Sequence, residues 1–330
     1  MKRSRALTHA TNVAIALNAV LAVVEREQPK ALCVRTGQDD LGLPYGPFDP
    51  ERHRTFEIGL REWVERQTHV SLGFIEQLYT FGDRGREAPA AALAGSAARD
   101  RVVSVGYLAL APEPADVLAE GAVWRDWYGF FPWEDWRAGE PDILTSEIVP
   151  ALLKWSADEL SAARPRRGRV NQAFGLQGLA WEEERIIDRY ELMHEAGLVY
   201  EAHRDRGKSV AARRKAFKTG APMISDHRRI LATAIGRLRG KLKYRPIIFE
   251  MIGAEFTLLT LQRTVEAIVG FRFHKQNFRR SVEKSGFVQR TGAMTQRAGG
   301  RPAALFRVDR EGLRERGASG LAIPRLRRAD

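Results

Sequence analysis

Between Phe273 and Val288 the chain reads FHKQNFRRSVEKSGFV, and its polar residues are of the types that read the edges of nucleic-acid bases. If His274 to Lys284 is a helix, each residue turns by about 100°. Phe278 and Val282 then point inward, one turn apart. Gln276, Asn277, Arg280 and Lys284 point outward, with Lys275 and Arg279 on the flanks. Arginine bonds guanine through two donors, and asparagine or glutamine bonds adenine in the same paired manner. Lysine and flanking arginine neutralise phosphates and fix the register of the protein on the duplex.

Such a helix needs a scaffold, and the flanking sequence supplies one. Upstream, Pro246 suits a first helical turn, where its missing N–H is not needed, and that helix stops near Gly253. Thr257 is a suitable N-cap for a second helix. There Leu258, Leu261, Val265 and Ile268 recur every three or four positions and make one buried stripe. Gly270 breaks that helix and Gly286 ends the next. Val288 and the run Ala303 to Val308 can pair as strands. The tip between them, Gly292 to Arg301, carries Arg297, Gly299, Gly300 and Arg301, a composition for a flexible basic wing. The order is helix, helix, turn, helix, two-stranded wing.

Three segments of this region, YRPIIFEMIGAEFTLLTLQ, FHKQNFRRSVEKSGFV and GGRPAALFRV, together resemble the winged helix-turn-helix of the Nudix-related transcriptional regulators of NAD metabolism, the NrtR family. The resemblance implies a Nudix-like domain upstream. It also implies double-stranded operator DNA as partner, and ADP-ribose or a related NAD metabolite as effector.

Charge placement agrees with a DNA-binding end. The chain carries a formal net charge of +12 over 330 residues. From Lys241 to Asp330 there are nineteen Lys or Arg against eight Asp or Glu, a surplus of +11. Nearly all of the excess therefore sits where a polyanion would bind. The sign alone would equally suit RNA or a membrane surface.

Upstream, LPYGPFDPERHRTFEIGLREWVERQTHV, Leu43 to Val70, places Phe56, Leu60, Trp63 and Val64 at helical spacing, so His53 to Arg66 is expected to be a helix after a Gly/Pro loop. This stretch resembles the Nudix box. Gly46 fits its first glycine, and Arg61, Glu62, Trp63 and Glu65 fit its helical core. Four positions depart. Arg52 stands where the first glutamate is expected, with Glu51 adjacent, and Arg66 replaces the last glutamate. Thr68 replaces the second glycine and His69 an apolar residue. A Nudix enzyme holds a divalent metal on several carboxylates, because magnesium-like ions want hard anionic oxygens. With Arg at two of the four carboxylate positions the cluster falls from about −4 to about 0 in charge at neutral pH. Glu62 and Arg66 are also spaced to pair on the helix surface. The expectation is a helix kept as scaffold, with no catalytic residues, no metal and no cofactor.

The remaining chain is read more coarsely. Ala31 to Arg35, Leu72 to Asp83 and Val102 to Leu110 are expected strands. Val13 to Val24 is an apolar run read as a buried strand, although its Ala and Leu content leaves a helix open. It imitates a signal peptide, but His9, Asn12 and Asn18 interrupt it and no convincing cleavage site follows, so a cytoplasmic protein is expected. The single cysteine, Cys33, excludes an intrachain disulfide framework and a cysteine zinc site, and its apolar surroundings suit a buried thiol. WRDWYGFFPWEDW, Trp124 to Trp136, holds four of the seven Trp. Packing is the expectation there; the functional alternative is a wall that stacks an adenine or nicotinamide ring. From Arg137 to Thr219 the resemblance stops. Asp142 to Ala163 and Leu179 to Glu201 have helical patterns, Arg164 to Arg169 reads as a basic Pro/Gly linker, and Lys208 to Lys218 is a second basic run. The resemblance resumes in a helix over Ala221 to Leu242.

The expected fold class is α+β. A Nudix-like α/β/α sandwich, residues 1–136 and 220–240, carries a helical insertion at 137–219. A winged helix-turn-helix at 241–310 and a basic tail at 311–330 follow. The resemblance implies a repressor of NAD biosynthesis genes; the helical insertion at 137–219 is expected to serve formation of a homodimer, and no membrane partner is expected. The rival readings are an active Nudix pyrophosphatase acting on ADP-ribose or NADH with an accessory nucleic-acid-binding domain, and an RNA-binding or architectural protein without an effector.

Overall fold

The computed structural model describes residues 12–36, 40–86, 101–116, 119–158, 160–208, 219–295 and 302–311. Arg297, Arg301 and the basic tail beyond Glu311 lie outside the described residues, as does most of the Lys208 to Lys218 run.

A seven-stranded sheet is built around β1 (Val13–Glu25). Residues 16 to 23 of β1 are all buried. A strand covered on both faces loses the alternation of a half-buried one, which is why its periodicity left helix and strand open. It pairs in parallel with β6 (Arg101–Leu110) and antiparallel with β2 (Gln28–Thr36) and β4 (Tyr45–Pro47). The β1–β2 turn takes left-handed backbone at Arg26 and Glu27. Outer strands β5 (Phe74–Phe81), β3 (Asp40–Gly42) and β7 (Ala122–Asp126) complete the sheet on β6 and β2.

Helix α1 (Phe56–Thr68) covers one face, packing Leu60 and Val64 against Leu17, Leu21, Leu32 and Tyr107. The other face carries more. The helices α2 (Val149–Ala157), α3 (Leu160–Phe174), α4 (Ile186–Glu195) and α5 (Tyr200–Asp205) lead to α6 (His227–Leu242). Ile230, Ile235 and Leu238 of α6 join Trp181, Tyr190 and Met193 in one core with Val20 and Ala22 of the sheet. That core continues without a break into α7 (Leu258–Val269) and α8 (Lys275–Ser285) of the winged helix, through Leu261, Val265, Phe278 and Val282. Cys33 lies in it, and burial pushes its thiol up to about 12.

Several expectations need correction. Arg164 to Arg169 is not a linker but part of α3, with Pro165 inside the helix. Val170, Ala173 and Phe174, buried in the core, hold that helix against its local propensity. The pattern over Leu179 to Glu201 is not one helix. A 3₁₀ turn at Glu183–Arg185 precedes α4, and left-handed Gly197 separates α4 from α5. Helix α6 starts at His227 rather than Ala221, and the segment after Pro246 is a 3₁₀ turn, Ile247–Met251. The Trp124 to Trp136 segment, by contrast, packs as expected: Trp127, Tyr128, Phe130, Phe131 and Trp133 are all buried.

His227 locks α6 to the sheet. Its Nδ1 accepts the Leu43 N–H at 2.9 Å, and its ring meets Tyr45 edge-on at 5.0 Å. Burial, with a smaller effect of Arg204, pushes its pKa down to about 3. The unfolded imidazole takes up a proton near pH 6.5. The folded one does not until pH nears 3, so folding loses stability as pH falls through this window. Between pH 7 and 5 this group alone should cost about 2 kcal/mol. Urea unfolding of His227→Gln at both pH values should show a correspondingly smaller loss than wild type, since the glutamine carbonyl keeps an acceptor for Leu43. Equal losses would remove this assignment.

Candidate nucleic-acid interface and degenerate carboxylate site

The winged helix is organised by a buried carboxylate that sequence reasoning missed. Thr257 caps α7, its Oγ1 accepting the Thr260 N–H at 3.0 Å, and α7 ends at left-handed Gly270. Glu266, fully buried in α7, accepts from Gln262 Nε2 at 2.7 Å and from the Phe273 N–H at 2.9 Å. Arg263 and Arg272 each reach its other oxygen at 2.8 Å. One carboxylate thus satisfies both the helix and the turn that launches α8. Burial alone would raise the Glu266 pKa; the Phe273 amide and the arginines outweigh it and hold it down. The sequence signal was faint: Gln262 and Glu266 are polar residues one turn apart beside the apolar stripe.

Phe278 and Val282 bury the inner face of α8, and Phe278 stacks on Phe273 at 5.7 Å. Lys275, Gln276, Asn277, Arg279, Arg280 and Lys284 are all exposed. Arg279 pairs with Glu283 at 3.2 Å. The side chains of Gln276, Asn277 and Arg280 bond no other described residue, so their donors and acceptors are available to a ligand. The wing is β8 (Val288–Met294) and β9 (Ala304–Val308). Strand β8 therefore runs into the expected tip, with the register shifting between Arg290 and Met294 around left-handed Gly292. Phe306 of β9 also pairs backbone to backbone with Phe256, which ties the wing to the start of α7. A cleft of about 560 Å³ opens between the α7 N-terminus, α8 and β9, lined by Thr257, Lys275, Arg279 and Pro302 among others.

The second site is on α1. Thr55 caps the helix, and Gly46 lies beneath Trp63, where an added Cβ would stand 2.0 Å from the ring. The Trp63 indole donates to the Pro47 carbonyl at 2.8 Å. Gly46 is required by this close approach. Arg61 pairs with Glu57 rather than Glu62 and donates to the Leu72 and Gly73 carbonyls, tying α1 to the start of β5. The helix continues through Thr68, so the left-handed turn falls on His69.

Glu62 is surrounded by cations and donors. Arg52 approaches one of its oxygens at 3.2 Å, and Arg66 bonds the same oxygen. His53 faces the other oxygen at 3.2 Å. His53 is buried, and its Nδ1 accepts the Asp49 N–H at 3.0 Å. In the neutral ring Nε2 therefore carries the proton and faces Glu62. Sequence reasoning overlooked His53. Counting eight residues back from Arg61, the spacing within the box itself, reaches His53 rather than Arg52, and that count was the signal. Glu65 is exposed and makes no side-chain bond to a described residue. Among the described residues no group of three or more His, Cys, Asp or Glu is placed to hold a metal ion.

The turn at Glu27 links the sheet to the winged helix. Its carboxylate stands 3.3 Å from Arg272 and 3.7 Å from Arg263, the arginines that hold Glu266. No described helix is long and apolar enough to cross a membrane.

Comparison with known proteins agrees with this geometry. Residues 248–308 match the family model described as the NrtR DNA-binding winged helix domain. A curated relative, the "ADPR responsive transcriptional repressor NtrR" of Acinetobacter baylyi, is 38% identical over 82 residues, which are 25% of this chain. That match spans 32% of the relative's length. The crystal structure of Shewanella oneidensis NrtR superposes with a TM-score of 0.51 at 19% identity, covering 94% of this chain and 97% of that one. The same protein crystallised with a 27mer DNA gives a TM-score of 0.50 at 20% identity, over the same shares of the two chains. The fold is therefore that of a Nudix-like sandwich joined to a winged helix.

Proposed function

We propose that this chain, whose residues 248–308 are an NrtR-type winged helix, is a cytoplasmic transcriptional repressor that senses ADP-ribose or a related NAD metabolite and controls NAD biosynthesis genes. The observation that carries the reading is α8. It rests on Phe278 and Val282 and presents Gln276, Asn277 and Arg280 to solvent, unpaired among the described residues. Arg280 reads guanine, Asn277 and Gln276 read adenine, and Lys275, Arg279 and Lys284 hold phosphates. Arg297 and Arg301 serve as the wing's phosphate contacts. The effector reading is supported by the name of the Acinetobacter relative, which is described as ADPR responsive.

The Nudix-like part acts as a sensor, not a hydrolase. Metal ions need carboxylate oxygens that face open space. Glu62 instead spends its oxygens on Arg52, His53 and Arg66, and Glu65 stands alone. Arg52 and Arg66 are thus paired with Glu62 at the surface, and a pyrophosphate would have to compete with Glu62 for them. Selection from a pool of random duplexes tests the DNA reading. Enrichment of one sequence motif, bound in preference to RNA of the same sequence, is expected. Equal binding of all duplexes and of RNA would favour an architectural role.

A further inference from the structure

Glu134 is buried with two buried arginines, and none of the three belongs to either site described above. Arg189 of α4 binds both its oxygens, at 2.6 and 3.0 Å, and Arg239 of α6 adds a third bond at 2.6 Å. Burial would raise the Glu134 pKa, but Arg189 and Arg239 outweigh it and keep the carboxyl below its usual range. The trio carries one net positive charge, so its stability depends on further acceptors. Arg189 finds them locally, in the Ala173 and Glu182 carbonyls and over the face of Trp181. Arg239 finds them across the molecule. Its Nε donates to the Ile268 carbonyl at 2.8 Å, and its other nitrogens reach the Glu183 carbonyl and the Tyr128 hydroxyl. Tyr128 in turn donates to the Ala267 carbonyl at 2.8 Å.

Ala267 and Ile268 are the last turn of α7, directly before the segment that launches α8. The same place is clamped from the backbone. The Trp136 N–H donates to the Gly270 carbonyl, and an added Cβ on Gly270 would stand 2.3 Å from the Glu134 carbonyl. Orphan carbonyls at a helix C-terminus normally bond to water or to a cap. Here they bond to side chains of the sheet domain and of α6.

We propose that Arg239 is the positioning residue that sets the angle of the DNA-reading helix relative to the Nudix-like domain, and that the nucleotide signal passes through it. This rests on the regulator reading above. The insertion helices supply Arg189 and the Glu182–Glu183 carbonyls, so their role is to hold this joint. An effector can shift DNA affinity only if two arrangements of the joint differ in affinity for it. A rigid, fully bonded contact between the layers is where such arrangements are distinguished.

Arg239→Met is the direct test. It leaves Glu134 and Arg189 as a neutral pair with both oxygens bonded, so the sandwich and insertion keep their balance. What it removes is the tie to Ile268, Glu183 and Tyr128. Duplex affinity is measured with and without ADP-ribose, in wild type and variant, alongside the melting shift given by ADP-ribose alone. The variant should keep the melting shift and keep weak duplex binding. The factor by which ADP-ribose changes duplex affinity should fall toward one. An unchanged factor in the folded variant overturns the proposal. If Arg239→Met does not fold, Tyr128→Phe decides by the same factor, because it removes one bond to α7 with little change of shape. A wild type with no coupling at all would instead contradict the regulator reading, so the two failures are distinguishable.

Discussion

Replacing Arg280 and Asn277 by alanine is expected to leave a protein that still binds duplex DNA but no longer chooses among sequences. Both residues are exposed on α8, on the face opposite Phe278 and Val282. Neither spends its donors inside the protein, unlike Arg279, which pairs with Glu283. Each paired base contact is worth about 1–3 kcal/mol of discrimination, which is roughly 5- to 150-fold per position. The residual binding comes from phosphate contacts by Lys275, Arg279 and Lys284, and it should keep its dependence on salt. Since both side chains are solvent-exposed, the variants should melt within about 0.5 kcal/mol of wild type. Competition between the selected duplex and a scrambled one measures the effect. An unchanged preference in both variants would show that another surface reads the sequence.

The second large effect concerns turnover. With magnesium or manganese, the protein should bind ADP-ribose yet release no AMP at an enzymatic rate. The loop before α1 brings Arg52 and His53 to Glu62, and Arg66 joins them from one turn along the helix. A divalent ion at Glu62 would have to displace three donors and sit beside two guanidinium groups. Both guanidinium groups repel such an ion, although solvent screens part of the effect because Arg52 and Arg66 are exposed. Calorimetric titration of ADP-ribose, run beside an AMP release assay over hours, separates sensing from hydrolysis. Rapid metal-dependent turnover abolished by Glu65→Gln would return the chain to the hydrolases.

The winged helix was legible because its determinants are local. Thr257, Gly270 and Gly286 mark helix ends by their own chemistry, and the stripe from Leu258 to Ile268 declares a buried face. Strands β2, β5 and β6 were legible for the same reason. The α1 segment was legible as a helix after a Gly/Pro loop, but its start at Phe56 and the place of His53 were not. Gly46 and Arg61 frame a loop, and sequence spacing placed Arg52 where the fold also brings His53. What the sequence did not reveal depends on distant partners. Glu134, Arg189 and Arg239 look like surface charges in any local window. Each is buried, because the carboxylate and guanidinium partners stand 55 and 105 residues apart in the chain. The segment Arg164 to Arg169 misled for a related reason: Pro165 and Gly168 are poor helix residues, and only the contacts of Val170 and Phe174 with the core make that stretch a helix.

The central claim is that DNA binding and nucleotide binding are coupled through one molecule. Thermodynamic linkage makes the test strict: if ADP-ribose changes duplex affinity by some factor, the duplex must change ADP-ribose affinity by the same factor. Fluorescence anisotropy of the selected duplex, titrated with protein at zero and saturating ADP-ribose, measures the first. Calorimetry of ADP-ribose with free and duplex-bound protein measures the second. A shared factor of about 5 to 150, the usual range of allosteric coupling, is the expected result. Duplex affinity that is identical with and without bound ADP-ribose would contradict it.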